Sequence, residues 1–150
     1  MAVTIAEICD AIETTLSTGT GIVRHQSYNE LTEGINAGDL PLLQVYFESL
    51  GIDPEGRTDR TAFKGGLRNK PITIHADVYV SQLAHIGQGN KALVNMVDTL
   101  IDKIETQNEK PYFGEDDIKS FSIPSIQRAT VKYASADYVM ARFTFIVWVY

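Results

Sequence analysis

A chain of 150 residues with 44% hydrophobic and 21% charged residues has the length and balance of one globular domain and is too short for two comfortable ones. No apolar run approaches the roughly 18 residues that cross a bilayer as a helix, so no membrane-spanning segment and no membrane partner are expected. A net charge of −6 and a pI near 5.0 argue against non-specific nucleic-acid binding as the main activity, since that needs net or strongly patched positive charge.

The first element is a helix. Thr4-Ile5-Ala6-Glu7 has the form of a capping box, in which the Thr hydroxyl and the Glu carboxylate satisfy backbone N–H groups at a helix start. Ile5, Ile8, Cys9, Ile12 and Leu16 then recur at helical spacing, while Glu7, Asp10 and Glu13 fall away from that stripe. This predicts a helix over Thr4 to Leu16, ended by Gly19-Thr20-Gly21. An amphipathic helix here, with no cationic region leading into an apolar one, is not a signal peptide, and folding in the cytosol is expected. The single cysteine, Cys9, cannot form an internal disulfide and lies on the apolar stripe, where it reads as a packing residue.

Ile22 to Tyr28 is a strand candidate, and Asn29 to Asp39, polar with two glycines, reads as a connection or a short helix. Leu42 to Glu48 is a clearer strand, with Leu43, Val45 and Phe47 on one face and Gln44, Tyr46 and Glu48 on the other. Pro71 to Val80 is another. Ile72, Ile74, Ala76, Val78 and Val80 face one way there, and Thr73, His75, Asp77 and Tyr79 the other.

Between these two strands lies a hydrophilic insertion, Gly51 to Lys70, longer than the connections that compact domains ordinarily use. Arg57, Arg60, Lys64, Arg68 and Lys70 outnumber Asp53, Glu55 and Asp59, so the segment carries five cations against three carboxylates, net +2, in an acidic chain. Three readings stay open for these cations: a solvated loop, a protein interface, or contact with phosphate. Arginine suits bidentate pairing with carboxylates or phosphates, and the acidic run Glu115-Asp116-Asp117 on a neighbouring copy is a candidate partner. Such a contact would be head to tail, and contacts of that kind close into rings when the rotation permits.

The strongest helical pattern follows, from about Lys91 to Thr106, with Leu93, Val97, Leu100, Ile101 and Ile104 as its stripe. Each of these side chains contributes about 1.5–3 kcal/mol once buried, so the stripe must meet the sheet. Gln107 to Ser120, with Pro111, Gly114 and the acidic run, reads as a solvated loop. The chain closes on a hairpin: Ile126 to Tyr133, a turn through Ala134 to Asp137, then Tyr138 to Tyr150. The last strand has Val139, Ala141, Phe143, Phe145, Val147 and Val149 on one face, and its other face also becomes apolar toward the end. Such a strand either sits centrally under cover or meets another subunit. The element order predicts an α+β fold: a mainly antiparallel sheet, two helices on one face, and a long inter-strand loop.

Local motifs for chemistry fail on context. Gly87-Gln88-Gly89-Asn90-Lys91-Ala92 satisfies G-x-G-x-x-A before a helix, the frame in which glycines let backbone approach a pyrophosphate. No tight strand-to-helix turn and no βαβ alternation accompany it, so it reads as glycines leading into a helix; a small nucleotide-binding enzyme using this turn is the minor alternative. Lys64-Gly65-Gly66 lacks the P-loop frame, and no serine sits in a nucleophile frame. His75 and Asp77 share a strand face and with His85 could be drawn as metal ligands, while His25 adds nothing by spacing. Residues of a solvent or interface face are the better reading, and no catalytic residue, cofactor or metal is expected.

The whole layout resembles the tail terminator proteins of long-tailed bacteriophages. The points of resemblance are the helix Thr4 to Leu16, the strand Leu42 to Glu48, the loop Gly51 to Lys70, the strand Pro71 to Val80, the helix Lys91 to Thr106 and the terminal hairpin Ile126 to Tyr150. The likeness covers nearly the full chain and rests on element order. It implies a single tail-terminator-like domain over residues 1–150 and a structural virion protein at the head–tail interface, with no enzymatic activity. The implied assembly is a homo-oligomeric ring, a hexamer, that caps the tail-tube protein and meets head–tail connector or neck proteins, with transient DNA contact in its lumen. Another ring of the head–tail junction, a neck, head-completion or connector protein, is the alternative.

Overall fold

The computed structural model describes residues 3–27, 37–51, 71–82, 88–133 and 136–149. In chain order these form α1 (Ile5–Ser17), β1 (Arg24–Ser27), a short 3-10 turn (Ala37–Asp39), β2 (Leu42–Leu50), β3 (Ile72–Gln82), α2 (Gln88–Glu105), β4 (Ile118–Tyr133) and β5 (Ala136–Val149). The strands make one sheet in the order β1-β2-β3-β5-β4. Every neighbouring pair is antiparallel except β1 with β2, which is parallel. The fold is α+β as the sequence predicts, with both helices packed on the same face of the sheet. No described helix is long and apolar enough to cross a membrane.

The capping box forms. Thr4 N–H donates to Glu7 Oε2 at 2.6 Å, and Glu7 N–H donates to Thr4 Oγ1 at 3.2 Å. The hydrogen bonds from the Thr4 backbone and hydroxyl hold the Glu7 carboxyl below its usual range, because they favour the ionised form. Ile8, Cys9, Ile12 and Leu16 are fully buried under this helix, and burial, with the Asp10 carboxylate adding to it, pushes the Cys9 thiol up to about 11. Across from them the alternate residues Leu43 and Val45, Ile74, Ala76 and Val78, and Phe143, Phe145 and Val147 are also fully buried. Together with Leu93, Met96, Leu100 and Ile104 of α2 they make the main core.

The register carries straight rows across all five strands. One row holds Arg24, Leu42, Tyr79, Met140 and Ala129; the next holds His25, Leu43, Val78, Ala141 and Arg128. Then come Gln26, Gln44, Asp77, Arg142 and Gln127, and after them Ser27, Val45, Ala76, Phe143 and Ile126. Rows alternate between the helix-covered face and the opposite one, as the pleat requires. On that opposite face Leu42, Tyr79, Tyr138 and Met140 form a second, smaller apolar cluster.

Three elements depart from the sequence expectation. β4 begins at Ile118, within the stretch read as a loop, and not at Ile126. Its register shifts between Ile118 and Ser120 and again between Ser122 and Ser125, around Pro124, so the two-residue alternation that marks a strand is broken there. Proline is tolerated because β4 is an edge strand, where one row of N–H groups has no ladder to serve. α2 starts at Gln88, earlier than Lys91, which puts Gly89 and Asn90 in its first turn. β1 is only Arg24–Ser27, shorter than Ile22 to Tyr28.

Candidate functional site

The sheet face opposite the helices carries a polar network that joins three strands. Asp77, in the middle of β3, has its side chain only 3% exposed and accepts three hydrogen bonds. Arg142 on β5 donates to it twice, from Nε at 2.9 Å and from Nη2 at 3.1 Å, in the two-pronged geometry that suits a carboxylate. Tyr46 on β2 donates its hydroxyl to the same carboxylate at 2.8 Å and accepts from Arg142 Nη2 at 3.0 Å. Two rows further, on the same face, His75 Nε2 meets Glu48 Oε2, His75 Nδ1 lies 3.3 Å from Thr144 Oγ1, and the Tyr46 and His75 rings stand edge to face at 5.6 Å.

Chemically this network is closed. Both Asp77 oxygens accept from donors, one bond on Oδ1 and two on Oδ2, so the carboxylate is fixed in place between Arg142 and Tyr46. Burial and the hydrogen bond to Asp77 push the Tyr46 phenol above its ordinary range, so it stays a donor. Asp77 likewise holds the Arg142 guanidinium in its charged form, raising it further. His75 and Asp77 are 8% and 2% exposed, so the reading of both as solvent or interface residues is corrected: register places Tyr46, Arg142 and Thr144 beside them. His85 lies outside the described residues. His25 is engaged elsewhere, on Glu13 of α1. Among the described residues no group of three or more His, Cys, Asp or Glu is placed to hold a metal ion.

The acidic run sits on a shaped turn. Phe113 and Gly114 adopt positive φ, 54° and 77°, and Gln107 Oε1 accepts from Phe113 N–H at 2.7 Å. The left-handed conformation at Phe113 is unusual for a bulky residue and is held by packing of its ring on Phe121 and Phe145, at 4.8 and 6.0 Å. Asp116 and Asp117 are exposed, while Glu115 is half-buried beside a cleft that it shares with Glu7, Asp10, Ala11, Thr14 and Phe113. Thus the structure gathers Glu115 with two carboxylates of α1, a grouping that spacing along the chain did not reveal.

The basic candidates Arg57, Arg60, Lys64, Arg68 and Lys70 lie outside the described residues, as do Gly87 and the chain between Gly51 and Pro71. The base of that loop is described. Gly51 N–H donates to the Pro71 carbonyl at 3.0 Å, immediately beyond the Leu50–Ile72 pair. Gly51 has a φ of 93°, a conformation that favours glycine, so the strand leaves the sheet there.

The other feature that sequence reading left aside is the outer side of β4. Ile126, Gln127, Arg128, Thr130 and Lys132 are all exposed, Ile126 at 38%. A signal for it was present, since Ile118 to Tyr133 contains Lys119, Arg128 and Lys132 and no carboxylate in a chain of net charge −6. Compared with protein-family models and with curated protein sequences, the chain matches none.

Proposed function

We propose that this chain is a structural virion protein, a subunit of a ring that caps the tail tube of a long-tailed phage and joins the tail to the head. The observation that carries the reading is β4, a 16-residue edge strand whose second half, beyond the irregularity at Pro124, keeps an unbroken ladder and exposes side chains on both faces. A long edge invites pairing with another chain, and a subunit that works alone has to blunt it. A subunit that works in a ring can use it.

The tail-terminator assignment is supported by the order of elements: a capped amphipathic helix, a strand, a long basic insertion, a strand, a second helix and a terminal hairpin. The role is mechanical. Head-to-tail contacts between identical subunits define the ring, one ring face meets the tail-tube protein, and the other meets connector or neck proteins. Arg57, Arg60, Lys64, Arg68 and Lys70 contact a neighbouring copy, the tube, or DNA in the lumen, with Glu115, Asp116 and Asp117 as acidic partners on the next subunit. No catalytic group, cofactor or metal is part of this role.

The test is electron microscopy of the purified protein, alone and mixed with tail-tube protein. Six-fold rings are expected. A stable monomer in both samples at high concentration overturns the reading, and twelve-fold rings favour a connector instead.

A further inference from the structure

The sheet has two edges, and they match. β1 and β4 lie at opposite ends of the strand order, yet the same four rows end on both: Arg24 is level with Ala129, His25 with Arg128, Gln26 with Gln127, and Ser27 with Ile126. Direction matches too. β1 runs parallel to β2, and each step from β2 through β3 and β5 to β4 reverses direction, so β4 runs opposite to β1. A copy set beside this one in the same orientation therefore brings its β4 antiparallel to β1, an arrangement that two chains make without any crossover.

Charge agrees with the rows. α1, which covers the β1 edge, carries Glu7, Asp10 and Glu13 and no basic residue. His25 and Ser27 turn toward it, His25 Nδ1 meeting Glu13 Oε1 and Ser27 Oγ meeting Asp10 Oδ1. Arg128 lies on the same face of its own edge, level with Ala141 of the helix-side core. Continuing the sheet thus sets Arg128 on the side of the joint where the exposed Asp10 of the next copy lies. On the β1 side the His25 side chain is 49% exposed and Asp10 is exposed, while Arg24, Gln26 and Ser27 are half-buried; on the β4 side Ile126, Gln127 and Arg128 are exposed.

We propose that the β4 edge, over residues 126–129, pairs antiparallel with the β1 edge, Arg24–Ser27, of a second copy, and that Arg128 forms an ion pair there with the exposed Asp10. This assigns the contact within the ring of the proposed function and rests on that reading. The two surfaces differ, so the contact is heterologous and propagates until the rotation closes it. The bulge and Pro124 between Ser122 and Ser125 interrupt the regular ladder on one side of the joint, which keeps it short. A short ladder with exposed charges is salt-sensitive, because screening at about 0.15 M acts over roughly 8 Å.

The experiment combines Gln26→Cys and Gln127→Cys in the full chain, with the buried Cys9 left in place, and oxidises the assembled protein. A ladder of disulfide-linked multimers on a non-reducing gel is expected from the double variant, and single bands from each variant alone. Arg128→Glu is expected to weaken assembly about tenfold, and Asp10→Lys in the same chain to restore it. Rings that form normally in the Arg128→Glu variant, with no ladder from the double cysteine variant, overturn the edge pairing and leave the ring standing. A wild-type protein that does not assemble overturns the ring, and the pairing with it.

Discussion

Asp77 illustrates how a charge is kept inside this protein. Its carboxylate is almost wholly withdrawn from water and holds Arg142 in two places and Tyr46 in a third, so the desolvation of the anion is offset by three hydrogen bonds. Replacing it by alanine strands both donors. Asp77→Ala is expected to cost about 2–4 kcal/mol in urea unfolding, less than a fully buried pair would lose, because the Arg142 side chain is 42% exposed and can rehydrate. A loss below about 0.5 kcal/mol, the scale of a neutral surface change, would contradict this account. Tyr46 adds a pH signature. Its phenol is raised in the folded state, so above pH ~10 the unfolded chain gives up that proton first and stability falls as pH rises. Tyr46→Phe is expected to flatten this alkaline limb in denaturation series from about pH 9 to 11; an unchanged slope would show that the phenol titrates alike in both states.

At the scale of elements, the β2–β3 hairpin is closed by its own base, through the Leu50–Ile72 pair and the Gly51–Pro71 hydrogen bond. Deleting Pro54 to Gly66 is therefore expected to leave cooperative thermal unfolding intact while weakening ring or tail assembly. Loss of the cooperative transition would place the segment in the core. α1 was legible because its capping box and apolar stripe are local, and β2, β3 and β5 because their alternation is unbroken. The start of β4 was not, since Pro124 and two register shifts erase the alternation within it. The network was half legible: alternation put Tyr46 on one face of its strand, and His75 and Asp77 on one face of theirs. What pairs with Asp77 is Arg142, a partner 65 residues away that only the sheet register brings alongside. The matched edges were invisible for the same reason, because their rows pass through three intervening strands.

For the whole molecule, the decisive property is asymmetry across the sheet. One edge carries cations without carboxylates along β4, and the other lies under α1, which carries carboxylates without cations. In the proposed pairing such a subunit would complement its own copy when the two stand side by side in the same orientation, and the repeated contact would have no symmetric end until it closed. That asymmetry and the order of elements are what support the proposed role as a tail-capping ring. It is tested most directly by the native mass of the purified full-length protein across a range of concentrations, alone and with tail-tube protein. A discrete species of six times the 16.6 kDa chain, dissociating as salt is raised, is expected. A species of one chain mass at every concentration and with every partner would contradict it.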